Sequence, residues 1–267
     1  MTNNLKNLIE TMPNLPSMPN IVSEALNIIE DPKSNINKLS EVISKDISIT
    51  TEILKLVNSA YYGFPAQITS INKAMALLGF SKVKSLIMSV AVKPMMMSTG
   101  GKSLWEHSVR CAVGSEILAK SLGKSDTDEA FIMGLLHDIG KTVLEIYNKD
   151  ASKEITRLVG LGADRLAAEK MIFGFQHTEI GEQLVQKWKL PSLIGSSVKY
   201  HHEPQNSDNI TMVGCVYVAD KTCQDLLKYP ILDPDITEIF DFEIPDPMQL
   251  RDQIFEKSQH IIAALSK

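Results

Sequence analysis

The stretch Ala130-Phe-Ile-Met-Gly134-Leu-Leu-His137-Asp138-Ile-Gly140-Lys141 decides how this chain is read. On a helix, His137 shares a face with Gly134, three residues earlier, and with Met133 and Ala130, four and seven earlier. That face is small and apolar, so another helix can approach it closely. Asp138 sits about 100° further round and follows Gly134, Leu135 and Phe131 at helical spacing. An imidazole and a carboxylate are thereby turned together toward a protein interior.

Outward from this stretch the same periodicity holds. Leu39, Val42, Ile43 and Ile47 follow it, as do Ile49, Ile53, Leu56 and Val57. Strict alternation is missing, and Gly and Pro cluster between the periodic segments. The pattern predicts an all-α chain of roughly a dozen helices, each of the usual ~10–14 residues. Pro94 and the Gly100-Gly101 pair punctuate the end of a long apolar segment, and Ser103-Leu-Trp-Glu106 has the spacing of a capping box that starts a helix. These signals predict two helical subdomains, residues 1–99 and 103–267, able to share one core.

Composition bounds the function. A chain of 267 residues with 44% hydrophobic and 22% charged residues can bury a large core and is not disordered. The net charge is -5, and among the 27 basic residues the only arginines are Arg110, Arg157, Arg165 and Arg251. A nucleic-acid partner is therefore not expected. Cys111, Cys215 and Cys223 lack metal-finger spacing, which predicts no disulfide framework and a reducing, cytoplasmic location. No apolar run reads as membrane-spanning, and Met-Thr-Asn-Asn-Leu-Lys at the N-terminus is unlike a signal peptide, so no membrane partner is expected.

The remaining histidines, His260 excepted, follow apolar faces in the same way. His107 follows Leu104 and precedes Cys111, His177 precedes Ile180 and Leu184, and His201 and His202 follow Val198. Asp220 follows Val213, Val216 and Tyr217. His260 is the contrast, because Glu256 and Gln253 share its face, and it is expected to point to water. A buried carboxylate without a partner costs several kcal/mol. One or two divalent metal ions would remove that cost, and an imidazole–carboxylate set admits Fe, Mn, Ni, Zn or Mg. A buried polar network is the alternative.

Gly134-Leu-Leu-His-Asp-Ile-Gly-Lys141 resembles the signature of the HD superfamily of metal-dependent phosphohydrolases. His107 upstream and Asp220 downstream complete its H…HD…D pattern. His177 and His201-His202 match the further imidazoles of the HD-GYP branch, but Pro204-Gln-Asn-Ser-Asp208 stands where the Gly-Tyr-Pro loop would follow. Leu15-Pro-Ser-Met-Pro19, Leu56-Val-Asn-Ser-Ala-Tyr-Tyr-Gly63, Ile68-Thr-Ser-Ile-Asn-Lys-Ala74 and Leu77-Leu-Gly-Phe80 resemble the first half of HDOD domains. Trp188-Lys-Leu-Pro191 and Tyr200-His-His-Glu-Pro204 resemble their second half, and the similarity covers about residues 12–226.

The resemblance implies an HD-like helical bundle after residue 103. It implies that His107, His137, Asp138 and Asp220 hold one metal, with Asp138 bridging to a second on His177, His201 and His202. Asp138 and Lys141 are the catalytic residues if the chain is an enzyme, although Lys141 also reads as a solvated helix-end lysine. Gly140 reads as a helix terminator. Glu169 lies where related domains carry a glutamate, while its Ala-Glu-Lys context reads as an exposed acid. Tyr61-Tyr62-Gly63-Phe64-Pro65 reads as a loop packed between the halves, and Met95-Met96-Met97 as a core edge or a partner groove. The expected function is a bacterial signal-transduction module acting through a signalling protein partner or a small phosphorylated ligand. The alternatives are a metal-dependent phosphohydrolase acting on a nucleotide or cyclic dinucleotide, and a helical scaffold without chemistry. The scarcity of arginine counts against phosphate binding.

Overall fold

The computed structural model describes residues 17–31, 33–99, 101–224 and 230–266. The N-terminal hexapeptide, Leu15, Gly100 and residues 225–226, all used above, lie outside the described residues. No strand occurs among the described residues.

The first half contains α1 (Asn20–Glu30), α2 (Ile36–Ser44), α3 (Ile47–Val57) and the long α4 (Ile71–Ser98). Helices α2 and α3 start where a side chain satisfies a free backbone N–H. Asn35 accepts from Lys38 N and Asp46 from Ile49 N. Asn58 organises the loop before α4, since its side chain bonds both the N–H and the C=O of Ile68, each at 2.7 Å. Within α4, Gly79 breaks the helix with φ 78°, a left-handed conformation that a side chain would strain.

By length and composition alone α4 could cross a membrane, which corrects the sequence expectation that no run reaches that size. Its apolar residues instead enter the core, with Val83, Leu86, Ile87, Met88 and Val92 all buried. Pro94 does not end it, because the helix runs on to Ser98. The methionine run is a core edge: Met96 is buried and Met97 exposed.

The second half contains α5 (Gly101–Ser121), α6 (Thr127–Leu136), α7 (Ile139–Tyr147), α8 (Lys149–Gly160), α9 (Arg165–Phe173), α10 (His177–Lys187), α11 (Ser192–Tyr200) and α12 (Ile210–Gln224). A single turn, α13 (Pro234–Thr237), precedes the last helix, α14 (Pro247–Leu265). Helix α5 begins at Gly101, two residues before the capping-box spacing predicted, so Ser103 lies inside it. Helix α14 packs on both α5 and α3, and one continuous apolar core runs through the two halves.

A polar junction also joins the halves. Tyr61 donates to Glu116 on α5, and Lys82 on α4 pairs with Glu116 and, at 2.6 Å, with Asp128. Burial, and then the Glu116 charge, push the Tyr61 phenol far above its ordinary pKa, so it stays a donor. Tyr61→Phe is expected to lower unfolding free energy by about 2 kcal/mol, the range for a hydrogen bond to a charged group, as read by urea denaturation.

Candidate metal centre

His137 and Asp138 form the two-residue joint between α6 and α7 rather than a continuous helical face. His137 keeps right-handed helical angles (φ -50°, ψ -37°), which is why helical phase still located its side chain. His107 comes from the middle of α5 and Asp220 from α12. His177 is the first residue of α10, and His201 and His202 follow the end of α11. All seven converge. His137, His177 and His201 are fully buried, Asp138 and Asp220 nearly so, and His107 and His202 are half-buried. His260 is half-buried on α14 and belongs to none of the donor groups formed by the described residues.

Asp138 is the hub. Its Oδ2 lies 3.3 Å from His137 Nε2 and 3.7 Å from His107 Nε2. Its Oδ1 lies 3.3 Å from His177 Nε2 and 3.7 Å from His201 Nε2. Asp220 Oδ1 closes the first set, 3.0 Å from His107 Nε2 and 3.7 Å from His137 Nε2. Lys141 turns inward and pairs with Asp138 Oδ2.

Three rings are oriented from behind. His137 Nδ1 bonds the carbonyl of Gly134 at 2.7 Å and His201 Nδ1 that of Val198 at 2.9 Å. His177 Nδ1 donates to Glu169 Oε2 at 2.7 Å, and the same oxygen accepts the His177 N–H at 2.8 Å. Each bond places a proton on Nδ1 and turns Nε2 toward the centre, the arrangement found behind metal-ligating histidines. Glu169 is fully buried, so the exposed-acid reading of its context is corrected. Glu169→Gln is expected to weaken metal binding about 10–100-fold with the fold intact, measured by competition with a chromogenic chelator.

The donors fit a cation. His137 Nε2 and Asp138 Oδ1 are buried and make no hydrogen bond, although such atoms in protein interiors are nearly always paired. Burial alone would raise the Asp138 and Asp220 pKa values. The charge of Lys141 on Asp138, and hydrogen bonds from His107 on Asp220, outweigh it and hold both well below the usual carboxylate range. Burial would likewise lower His137, but the Asp138 charge takes it up to about 10. A divalent ion competes for the place of that proton, so metal uptake releases protons.

His202 is perturbed the other way. Burial, and then the His177 charge, bring it down to about 3. An unfolded histidine takes up a proton near pH 6.5. Between those values the unfolded chain binds a proton that the folded chain refuses, and above pH 6.5 the two states bind alike. Acidification below pH 6.5 is therefore expected to cost about 1.4 kcal/mol per pH unit through this group. Denaturation at pH 6.5, 5.5 and 4.5 measures the slope; His201, also held well below the usual histidine range by burial, adds to it, and His202→Ala should remove only its own share.

Gly140 holds two helices together. It sits in the first turn of α7, not at a helix end, and a Cβ there would fall 1.8 Å from the carbonyl oxygen of His177. Gly181 on α10 faces it. The backbones of α7 and α10 thus meet directly, and this contact brings His177 to Asp138.

The centre opens into a cleft of about 1180 Å³. His107, Asp138, Lys141, His202 and Asp220 lie in its lining, and no described lining residue precedes Ser103. Among the described residues, none of the first half therefore lines the cleft. Arg110, Arg165 and Lys221 also line the cleft, so two of the chain's few arginines converge on it. Sequence spacing could not show this, because the two arginines stand on different helices.

The HDOD domain matches residues 15–204. The chain belongs to the HDOD family. An uncharacterised protein of Treponema pallidum is 27% identical over 202 residues, which cover 73% of this chain and 39% of the relative; the chain thus spans about two fifths of that protein's length. The crystal structure of an HDOD domain protein from Geobacter sulfurreducens superposes with a TM-score of 0.79 at 22% identity, covering 100% of this chain and 97% of the other. That of a candidate phosphohydrolase from Shewanella amazonensis gives 0.81 at 24% identity, covering 98% and 97%. These likenesses establish the all-helical HDOD fold. Within it, the chain brings its histidines and aspartates into groups able to hold a metal.

Proposed function

We propose that this HDOD chain is a metal-dependent phosphohydrolase acting on a small phosphorylated ligand in a cytoplasmic signalling setting. One observation carries the reading: Asp138, whose buried Oδ1 makes no hydrogen bond, borders a cleft that no described residue before Ser103 lines. Sequence reasoning puts a non-catalytic regulator first; the cleft beside Asp138 favours the enzyme instead.

His107, His137, Asp138 and Asp220 would hold one metal, and His177, His201 and His202 a second beside Asp138. A divalent ion lowers the pKa of bound water and polarises phosphoryl oxygens. The chain's own groups do the rest. Lys141 sets a point charge beside Asp138. Arg165 and Lys221 offer positive charge along the walls to orient a phosphate, while Arg110 is held by Glu106. Glu169 keeps the proton on His177 Nδ1. Several wall acids are already engaged: Asp164 caps α9, and Glu203 accepts from Asn206.

Metal analysis of purified protein, paired with hydrolysis assays on nucleotides and cyclic dinucleotides, tests the reading. Stoichiometric transition metal and chelator-sensitive hydrolysis are expected. Bound metal without hydrolysis of either class supports the regulator instead. The Lys82–Glu116–Asp128–Tyr61 junction favours that second reading, because it ties the first half to the helix that carries His107. Folded protein that takes up no metal removes both.

A further inference from the structure

Cys111 stands one helical turn after His107 on α5 and is fully buried. Its Sγ lies 3.5 Å from His107 Nε2. The donor atoms of His107, Cys111, His137 and Asp220 all lie within 4.8 Å of one another. Two nitrogens at about 2.0–2.1 Å and a sulfur at about 2.3 Å from one ion stand roughly 3.3–3.7 Å apart when tetrahedral. The separations of 3.5 Å here, and of 3.0 and 3.7 Å from Asp220 to the two imidazoles, surround those values. His137 Nε2, buried and without a hydrogen bond, belongs to the same group. The facing group, His177, His201 and His202, contains no sulfur.

We propose that Cys111 Sγ is a ligand of the metal on the His107–His137–Asp220 side, so that the two halves of the centre are chemically unequal. The proposal rests on the metal-centre reading above. One half offers two nitrogens, the Asp220 oxygen and a thiolate, the other three imidazoles, and Asp138 lies between them with one oxygen toward each. On metal uptake the S–H bond is exchanged for a sulfur–metal bond and the proton passes to solvent, with no change of oxidation state. A thiolate favours zinc, iron(II) or cobalt(II) and disfavours magnesium and manganese. The all-imidazole half lacks that bias. Cys215 on α12 is also buried but joins no donor group among the described residues, so burial alone does not produce this arrangement. Cys223 neighbours the Cys111 thiol and needs its own control.

Cobalt(II) titration of the full chain gives a readout independent of activity. The wild type is expected to develop an intense near-ultraviolet sulfur-to-cobalt charge-transfer band that saturates at one equivalent. A Cys215→Ala/Cys223→Ala double variant, in which Cys111 is the only remaining thiol, should keep the band. Cys111→Ser should lose it and bind zinc about 10–100-fold more weakly. Cobalt bound with visible d–d bands but no charge-transfer band overturns the proposal and leaves the metal centre standing. Loss of the band in the double variant also overturns it, since the sulfur would then belong to another cysteine. No retained cobalt at all overturns the centre itself. The wild type and double variant decide the matter even if Cys111→Ser fails to fold.

Discussion

Asp138→Ala is expected to reduce bound metal from stoichiometric to trace and to slow phosphoester hydrolysis by more than about 10³-fold. Asp138 turns one oxygen toward His137 and the other toward His177, so it stands between the two donor groups. Its loss removes a ligand from each group and half of the pair of buried carboxylates that draws a cation in. A metal's stabilisation of developing charge is worth several kcal/mol, and each ~1.4 kcal/mol is tenfold in rate. The metal-free fold should survive. Lys141 is a quarter exposed and can reach water once its partner is gone, and removing a buried charge also removes its desolvation cost. Elemental analysis, circular dichroism and initial rates on one preparation check all three points. A variant that keeps both metal and rate would refute the assignment of Asp138.

Gly140→Ala is expected to be the most damaging single methyl group in the molecule, lowering unfolding free energy by about 4 kcal/mol and Tm by about 10 °C. The added carbon would lie 1.8 Å from the carbonyl oxygen of His177 and 2.7 Å from its carbonyl carbon. Both are main-chain atoms, so no rotamer change relieves the clash. Helices α7 and α10 must part, carrying His177 away from Asp138, and metal content should fall with stability. Gly160→Ala, at the open end of α8 with nothing within 4 Å of the new carbon, is the control. It should leave Tm unchanged or slightly higher, since alanine favours a helix. Equal melting of wild type and Gly140→Ala would show that the two helices are not held by this contact.

Helical phase identified the inward-facing side chains because most of them keep helical geometry. His107 and Asp220 lie inside long helices, and His137 and His201 cap theirs with right-handed angles, so counting threes, fours and sevens placed them correctly. Glu169 escaped because its partner stands across a chain reversal. Gly174 ends α9 in a left-handed conformation (φ 79°), and the chain turns back to set His177 over Glu169, eight residues away. The available signal was that glycine, closely followed by Gln176 and Glu179, whose side chain accepts the Gln176 N–H at the start of α10. Gly140 was read as a terminator for a similar reason. Its need for a bare Cα comes from α10, a helix distant in sequence.

The seam between Gly140 and Gly181 gives the centre an unusual tolerance. Where bulky side chains set the distance between helices, each change in core volume shifts whatever those helices carry. Here main chain rests against main chain at Gly140, so the spacing between Asp138 and His177 depends less on the side chains around it. Sequence drift in the surrounding core would then be felt as lost stability long before it displaced a donor. Homologues could exchange much of their interior and still present the same groups at the same separation.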